Sequence, residues 1–272
     1  MAAAPLGRSA LEALGITPDT RLGQHFLVDR NIVDVALRLA DLDPQDVAVE
    51  VGPGAGVLTS ALAARVRAVH AIELDRRLEA PLGDALDGRT NVGLVFGDAL
   101  AVDFGALEPP PSKLVANLPY NVATPLVAET LIGVPTLGSW CVMVQREVAD
   151  RFFAEPGTKA YGAVSVLVRL HARRTGLHPV SRTVFRPPPN VDSALVAFDR
   201  IAPPANAAQV RRVVTAAFGH RRKTLANAVA LAGLATREDA VAALETIARR
   251  PDVRAEALRP DEFVRLTEAL GR

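Results

Sequence analysis

The sequence predicts an α/β protein: an open seven-stranded sheet flanked by helices, followed by a small all-helical C-terminal domain. Three observations predict it. Short Val- and Ile-rich runs alternate with amphipathic stretches over the first 200 residues, the pattern of βα units around a mostly parallel sheet. A glycine-rich turn follows the first of these runs. Beyond Pro203 and Pro204 the strand signal stops and only helical periodicity continues.

Strands are expected at residues 46–51, 67–73, 92–96, 113–116, 140–144, 163–170 and 193–199, where apolar residues run in short blocks bounded by turn residues. Helices are expected at 31–40, 57–65, 76–87, 122–132 and 145–153, where apolar residues recur at helical spacing. Pro187, Pro188 and Pro189 interrupt regular structure before the last strand. Four further helices are expected at 206–218, 222–232, 237–248 and 260–270, the last with Pro260 in its first turn and Gly271 beyond its end. Residues 1–200, with an N-terminal extension over 1–20, form one expected domain and 201–272 the other.

Composition excludes several classes. With 272 residues and 49% apolar content the chain can bury a sizeable core. No apolar run approaches the roughly 20 residues of a membrane span. Met1 to Ser9 lacks the apolar segment of an export signal, so cytoplasmic residence is expected. The single cysteine, Cys141, lies in an apolar run and reads as a buried, inert thiol. No metal site is expected. Net charge is +1, yet residues 1–200 hold 19 basic and 22 acidic groups while 201–272 hold 12 and 8. That modest asymmetry suits a polyanion partner for the C-terminal region, and compositional scatter produces it equally well.

Glu50-Val51-Gly52-Pro53-Gly54-Ala55-Gly56 follows a strand and opens a helix, a setting in which bare backbone approaches a ligand closely. A tight strand-to-helix turn also uses glycine for steric reasons alone. Glu73 ends the next strand, 17 residues after Gly56, where a carboxylate accepts both hydroxyls of a ribose. A solvated strand-end acid is the plainer alternative. Val57 stands where a dinucleotide fingerprint requires its third glycine, which disfavours a pyrophosphate ligand. Asp98, after the third strand, either hydrogen-bonds an adenine amino group or caps the following turn. Arriving in this order, the three features resemble the Rossmann-like, seven-stranded class I methyltransferases that use S-adenosyl-L-methionine.

Asn117-Leu118-Pro119-Tyr120 follows the strand at 113–116, above the carboxyl ends of the sheet where open α/β folds bind ligands. An adenine N6 amine is a poor nucleophile because its lone pair is conjugated with the ring. The Asn117 side-chain oxygen and the Leu118 carbonyl would hold its two hydrogens and turn the lone pair toward a methyl donor. Orientation of this kind contributes roughly 7–11 kcal/mol in favourable cases, without a strong base. Pro119 stiffens the loop, and Tyr120 offers a face for an extruded base, worth about 1–3 kcal/mol. An Asx-turn closing the strand accounts for Asn and Pro without any chemistry.

Further motifs complete a family resemblance. Gly23-Gln24-His25-Phe26-Leu27, Glu50 to Gly56, Ile72 to Asp75, Gly97-Asp98-Ala99, Asn117 to Asn121, Gln145 to Val148, Phe185 to Ser193 and Arg221 to Leu225 occur in the order found in the ribosomal RNA adenine dimethyltransferases. From Arg21 onward the chain resembles that family. The resemblance implies dimethylation at N6 of two adjacent adenosines near the 3′ end of 16S ribosomal RNA, late in small-subunit biogenesis. Residues 1–200 would be the catalytic domain and 201–272 an RNA- or ribosome-binding domain, acting as a monomer on the immature subunit, with no membrane partner.

By the same resemblance the cofactor contacts fall on His25, Leu27, Gly52, Gly54, Glu73, Asp98 and Asn117, with Asn117 to Tyr120 catalytic. His25 stands where many relatives carry Asn; a contact through the backbone survives that change, whereas one through a side-chain amide does not. Phe185 would flank the target base, held by the prolines after it, or else pack in the core. Arg221, Arg222 and Lys223, at the head of a helix, would neutralise phosphates or simply form a solvated face. Two related activities share the fold: methylation of one large-subunit adenine, as in antibiotic resistance, and non-catalytic nucleic-acid binding. Tyr120-Asn121 with Phe185 to Ser193 favours the small-subunit enzyme over the first, and intact Glu73 and Asn117 to Tyr120 favour it over the second. Glutamine methylation would require proline directly after the Asn, where Leu118 stands.

Overall fold

The computed structural model describes residues 17–19, 22–220 and 222–271. Its strands are β1 (Phe26–Leu27), β2 (Val47–Val51), β3 (Ala68–Glu73), β4 (Val92–Phe96), β5 (Lys113–Asn117), β6 (Ser139–Gln145), β7 (Ala172–Val180), β8 (Phe185–Arg186) and β9 (Ser193–Arg200). The first helices are α1 (Arg30–Leu39), α2 (Val57–Ala63), α3 (Glu79–Ala85), α4 (Ala123–Gly133), α5 (Arg146–Phe152) and α6 (Ala163–His171). Four more follow the last strand: α7 (Ala207–Gly219), α8 (Leu225–Leu231), α9 (Arg237–Thr246) and α10 (Pro260–Ala269).

Seven strands form one sheet in the order β4-β3-β2-β5-β6-β9-β7, with β4 through β6 parallel and β9 antiparallel to β6. All five residues of β2 are buried, as a central parallel strand covered on both faces requires. Strand order runs outward in opposite directions from β2 and β5, and such a switch point opens a crevice at the strands' carboxyl ends. Helix α1 is capped by the Asp29 carboxylate, which accepts from the Asn31 N–H, and it buries Val33, Ala36 and Leu37. At the end of α4 the Arg200 guanidinium donates to the carbonyls of Leu131, Val134 and Leu137 and lies over the Trp140 ring, satisfying backbone acceptors that the helix leaves open. The two-residue strands β1 and β8 pair separately, Leu27 opposite Phe185.

The chain folds into two compact units. One comprises the described residues up to Ala149 together with Arg174–Arg200; the other comprises Asp150–Arg173 and Ile201–Arg272. The chain therefore enters the helical unit twice, and residue 200 marks only the second crossing. The second unit has its own core, in which Tyr161, Val166 and Leu167 join Val213, Leu225, Leu244 and Phe263.

The strand expected at 163–170 is the helix α6 instead. Its Val-rich composition favours extended backbone locally, but Val166 and Leu167 are buried in the core of the helical unit. The Ser165 hydroxyl accepts from the Gly162 N–H at 3.1 Å and donates to the Arg151 carbonyl at 2.6 Å, fixing the helix start. The seventh strand is β7, whose sequence ARRTGLHPV hides it: charges, Gly176 and Pro179 are tolerated because it is the sheet's edge strand. Among the described residues no helix is long and apolar enough to cross a membrane.

Candidate active site

A cavity opens at the carboxyl ends of β2, β3, β4 and β5. It is lined by every residue expected to bind the cofactor, His25, Leu27, Gly52, Gly54, Glu73, Asp98 and Asn117, and by Leu118, Pro119 and Tyr120. Parallel pairing of β2 with β5 brings the glycine loop and the tetrapeptide together, although about 60 residues of sequence separate them. Gly52 and Gly54 adopt left-handed backbone, φ +74° and +58°, which disfavours a side chain. Space disfavours one as well: a Cβ on Gly52 would stand 3.3 Å from Pro119 Cδ, and one on Gly54 3.0 Å from the Phe26 ring.

Asn117 is oriented by its neighbour. Its Nδ2 donates to the His25 carbonyl at 3.2 Å, which leaves Oδ1 as a free acceptor among the described residues. The Leu118 N–H donates to the Met143 carbonyl at 3.0 Å, fixing that peptide next to the cavity. Tyr120 is held at both ends: its hydroxyl shares a 2.7 Å hydrogen bond with Ser193 Oγ, and its ring centroid lies 5.5 Å from that of His25. The His25 side chain is also tied to the Pro187 carbonyl through Nδ1 at 2.8 Å. Residue 25 thus braces Tyr120 with its ring and Asn117 with its backbone.

Acidic groups dominate the electrostatics. Glu50, Glu73 and Asp98 line the cavity, and no Lys or Arg does so among the described residues. The Glu73 carboxylate accepts from the N–H groups of Gly54 at 3.2 Å and Asp75 at 2.9 Å, while burial holds its pKa above the ordinary value. Asp75 is the reverse case. Its hydrogen bonds from Arg77, with help from Gln24, lower it to about 2. Asp98 Oδ1 accepts from the Leu100 N–H at 2.9 Å, so the expected turn cap exists, and the same carboxylate lines the cavity.

Glu50 received no individual role from the sequence. The signal was present in VAVEV, a lone acid inside a fully buried strand. Burial pushes its carboxyl up to about 8, the nearby Glu73 adds to the rise, and Thr59 pulls against it. Because the folded value lies above the unfolded one, stability is full below pH about 4.5 and declines as pH rises through about 8. The Glu50→Gln variant is therefore expected to gain in Tm relative to the parent as pH increases over that window. Parallel Tm curves for the two proteins would contradict the shift.

Phe185 requires correction. Expected to flank a target base, it is wholly buried in the core with Val33, Leu37, Leu195 and Ala197, so in this conformation its ring has no face for a ligand. Arg222 and Lys223 precede α8, and Arg222 is exposed there, where phosphates can reach it; Arg221 lies outside the described residues.

Comparison with known proteins agrees with this geometry. The family model described as ribosomal RNA adenine dimethylase matches residues 17–271. The chain belongs to that family. Its members are S-adenosylmethionine-dependent enzymes that dimethylate ribosomal RNA adenine. Relatives named ribosomal RNA small subunit methyltransferase A include one from Rubrobacter xylanophilus, 47% identical over 250 residues, covering 92% of this chain and 94% of the relative. Another, from Thermobifida fusca, is 46% identical over 266 residues and covers 94% and 91%. Among solved structures, a dimethyladenosine transferase from Plasmodium falciparum superposes with TM-score 0.75 over 89% of this chain and 96% of the other, at 23% identity, a likeness of fold. The 23S rRNA methyltransferase ErmE gives TM-score 0.68 at 28% identity, covering 91% of this chain and all of the other.

Proposed function

We propose that this member of the family dimethylates N6 of two adjacent adenosines near the 3′ end of 16S ribosomal RNA, using Asn117 and Leu118 to hold the target amine. One observation carries the reading: two acceptors, Asn117 Oδ1 and the Leu118 carbonyl, have no protein donor among the described residues and sit beside a glycine loop built for close approach. The residues fit a cationic methyl donor. Three acidic side chains and no Lys or Arg line the cavity among the described residues, and Glu50 Oε2 is buried without a hydrogen-bond partner. S-Adenosylmethionine supplies an electrophilic methyl group on a sulfonium.

Glu73 would accept the ribose hydroxyls through the lone pairs that Gly54 and Asp75 leave free, and Asp98 would accept from the adenine amino group. Asn117 and Leu118 would draw the target amine out of conjugation, with Tyr120 beneath its ring. The amine proton released on each transfer needs no strong base, because the methylated amine is acidic until it is lost. The immature small subunit is the substrate we favour, with the protein acting as a monomer in the cytoplasm. Residues 1–200 carry the chemistry, and the helical residues 201–272 contribute RNA contacts through Arg221, Arg222 and Lys223.

Likeness to ErmE supports a second reading, methylation of large-subunit RNA. Names of relatives at 40–47% identity favour the small subunit. Labelled methyl transfer from S-adenosylmethionine separates the two: incorporation into unmethylated small subunits is expected, and incorporation only into free large-subunit RNA would reject the proposal. Replacing Arg221, Arg222 and Lys223 together by Gln is expected to reduce the salt slope of RNA binding by about 2, since each phosphate contact contributes roughly 0.7–0.9. An unchanged slope removes these residues from the RNA contact.

A further inference from the structure

We propose that Glu50 stands protonated in the free protein and gives its proton to solvent when the positively charged methyl donor binds, so that loading the site releases one proton. The inference rests on the cofactor reading above and adds to it a residue that the reading does not use. Glu50 is 1% exposed, inside β2, and borders the cavity. Its Oε2 and the Thr59 hydroxyl are both buried without a hydrogen-bond partner among the described residues. A carboxylate placed there as an anion would be desolvated, with only the Thr59 hydroxyl pulling against the rise, which favours the neutral acid.

The other titratable groups facing the cavity do not relieve this. Glu73 on β3 and Asp98 after β4 carry the same charge, and Tyr120 after β5 is neutral, its own ionisation held high by burial. His25 is tied to the Pro187 carbonyl. Burial and Glu73 together hold Glu50 near 8, so at neutral pH the proton stays. The donor brings a sulfonium and an α-ammonium against a single α-carboxylate, and this net positive charge entering the cavity reverses the balance, because a nearby opposite charge favours the ionised form. The carboxyl O–H bond breaks, the proton passes to buffer, and the protein gains one negative charge; no other bond changes.

Calorimetric titration of the whole chain with S-adenosylmethionine at pH about 6.5, in phosphate and in imidazole, tests this. The apparent enthalpy is expected to differ between buffers by the ionisation heat of one proton, and affinity to rise about tenfold per pH unit between pH about 6 and 7. Glu50→Gln, which has no proton to release, is expected to bind with a buffer-independent enthalpy and a flat pH profile. His25→Asn, which removes the imidazole bordering the cavity, is expected to keep the release. Buffer-independent binding by the parent, the same release from the Gln variant, or its loss in His25→Asn would overturn the proposal. Should the Gln variant fail to fold, the parent and His25→Asn titrations decide alone. Absence of any binding by the parent would refute the cofactor reading, and the proposal with it.

Discussion

Replacing Asn117 by Ala is expected to lower methyl transfer by about 10²–10³-fold, the usual cost of losing one preorganised polar partner at a reacting group. The effect should fall mainly on kcat, since Oδ1 is directed at the amine that reacts. Little structural loss should accompany it. Asn117 makes one side-chain hydrogen bond, to the His25 carbonyl, worth about 1 kcal/mol to stability, and so a Tm within a few degrees of the parent is expected. Single-turnover rates with labelled donor, measured beside a melting curve, check both halves. Full activity in the folded variant would remove Asn117 from the chemistry.

Glu73→Gln is expected to weaken donor binding by about 10²-fold while RNA binding persists. The carboxylate now accepts backbone N–H bonds on both oxygens, from Gly54 and Asp75. An amide must turn its NH2 toward one of those donors, which disturbs the glycine loop as well as removing the charge. Each charged hydrogen bond lost to a ribose hydroxyl costs roughly 1.5–3 kcal/mol, and tenfold in affinity corresponds to about 1.4 kcal/mol. Calorimetry gives the dissociation constant directly. An unchanged value in the variant means that another group holds the ribose.

Much of this site was legible in the sequence because its parts are strand ends. In a parallel sheet each βα turn lies at the same edge, so the ordered motifs at Gly52, Glu73, Asp98 and Asn117 converge once the strands are recognised, and short apolar runs made six of the sheet's seven strands recognisable. What escaped depended on partners distant in sequence. Local propensity favoured a strand for α6, and burial in the helical unit overrode it. Edge strand β7 lacks the apolar alternation that would announce it. Phe185 was open to two readings, a flank for the base held by the prolines after it or a core residue, and pairing of β8 with β1 turns its ring into the core beside α1. His25 showed only that it departs from the common Asn; its hold on Pro187 and Tyr120 required the fold.

Mass mapping of the 3′ region of 16S ribosomal RNA tests the central claim most directly, with unmethylated small subunits incubated with S-adenosylmethionine in the presence and absence of this protein. The account predicts two adjacent adenines that each gain two methyl groups only when the protein is present. An unmodified 3′ region, with methyl groups appearing on large-subunit RNA instead, would contradict it.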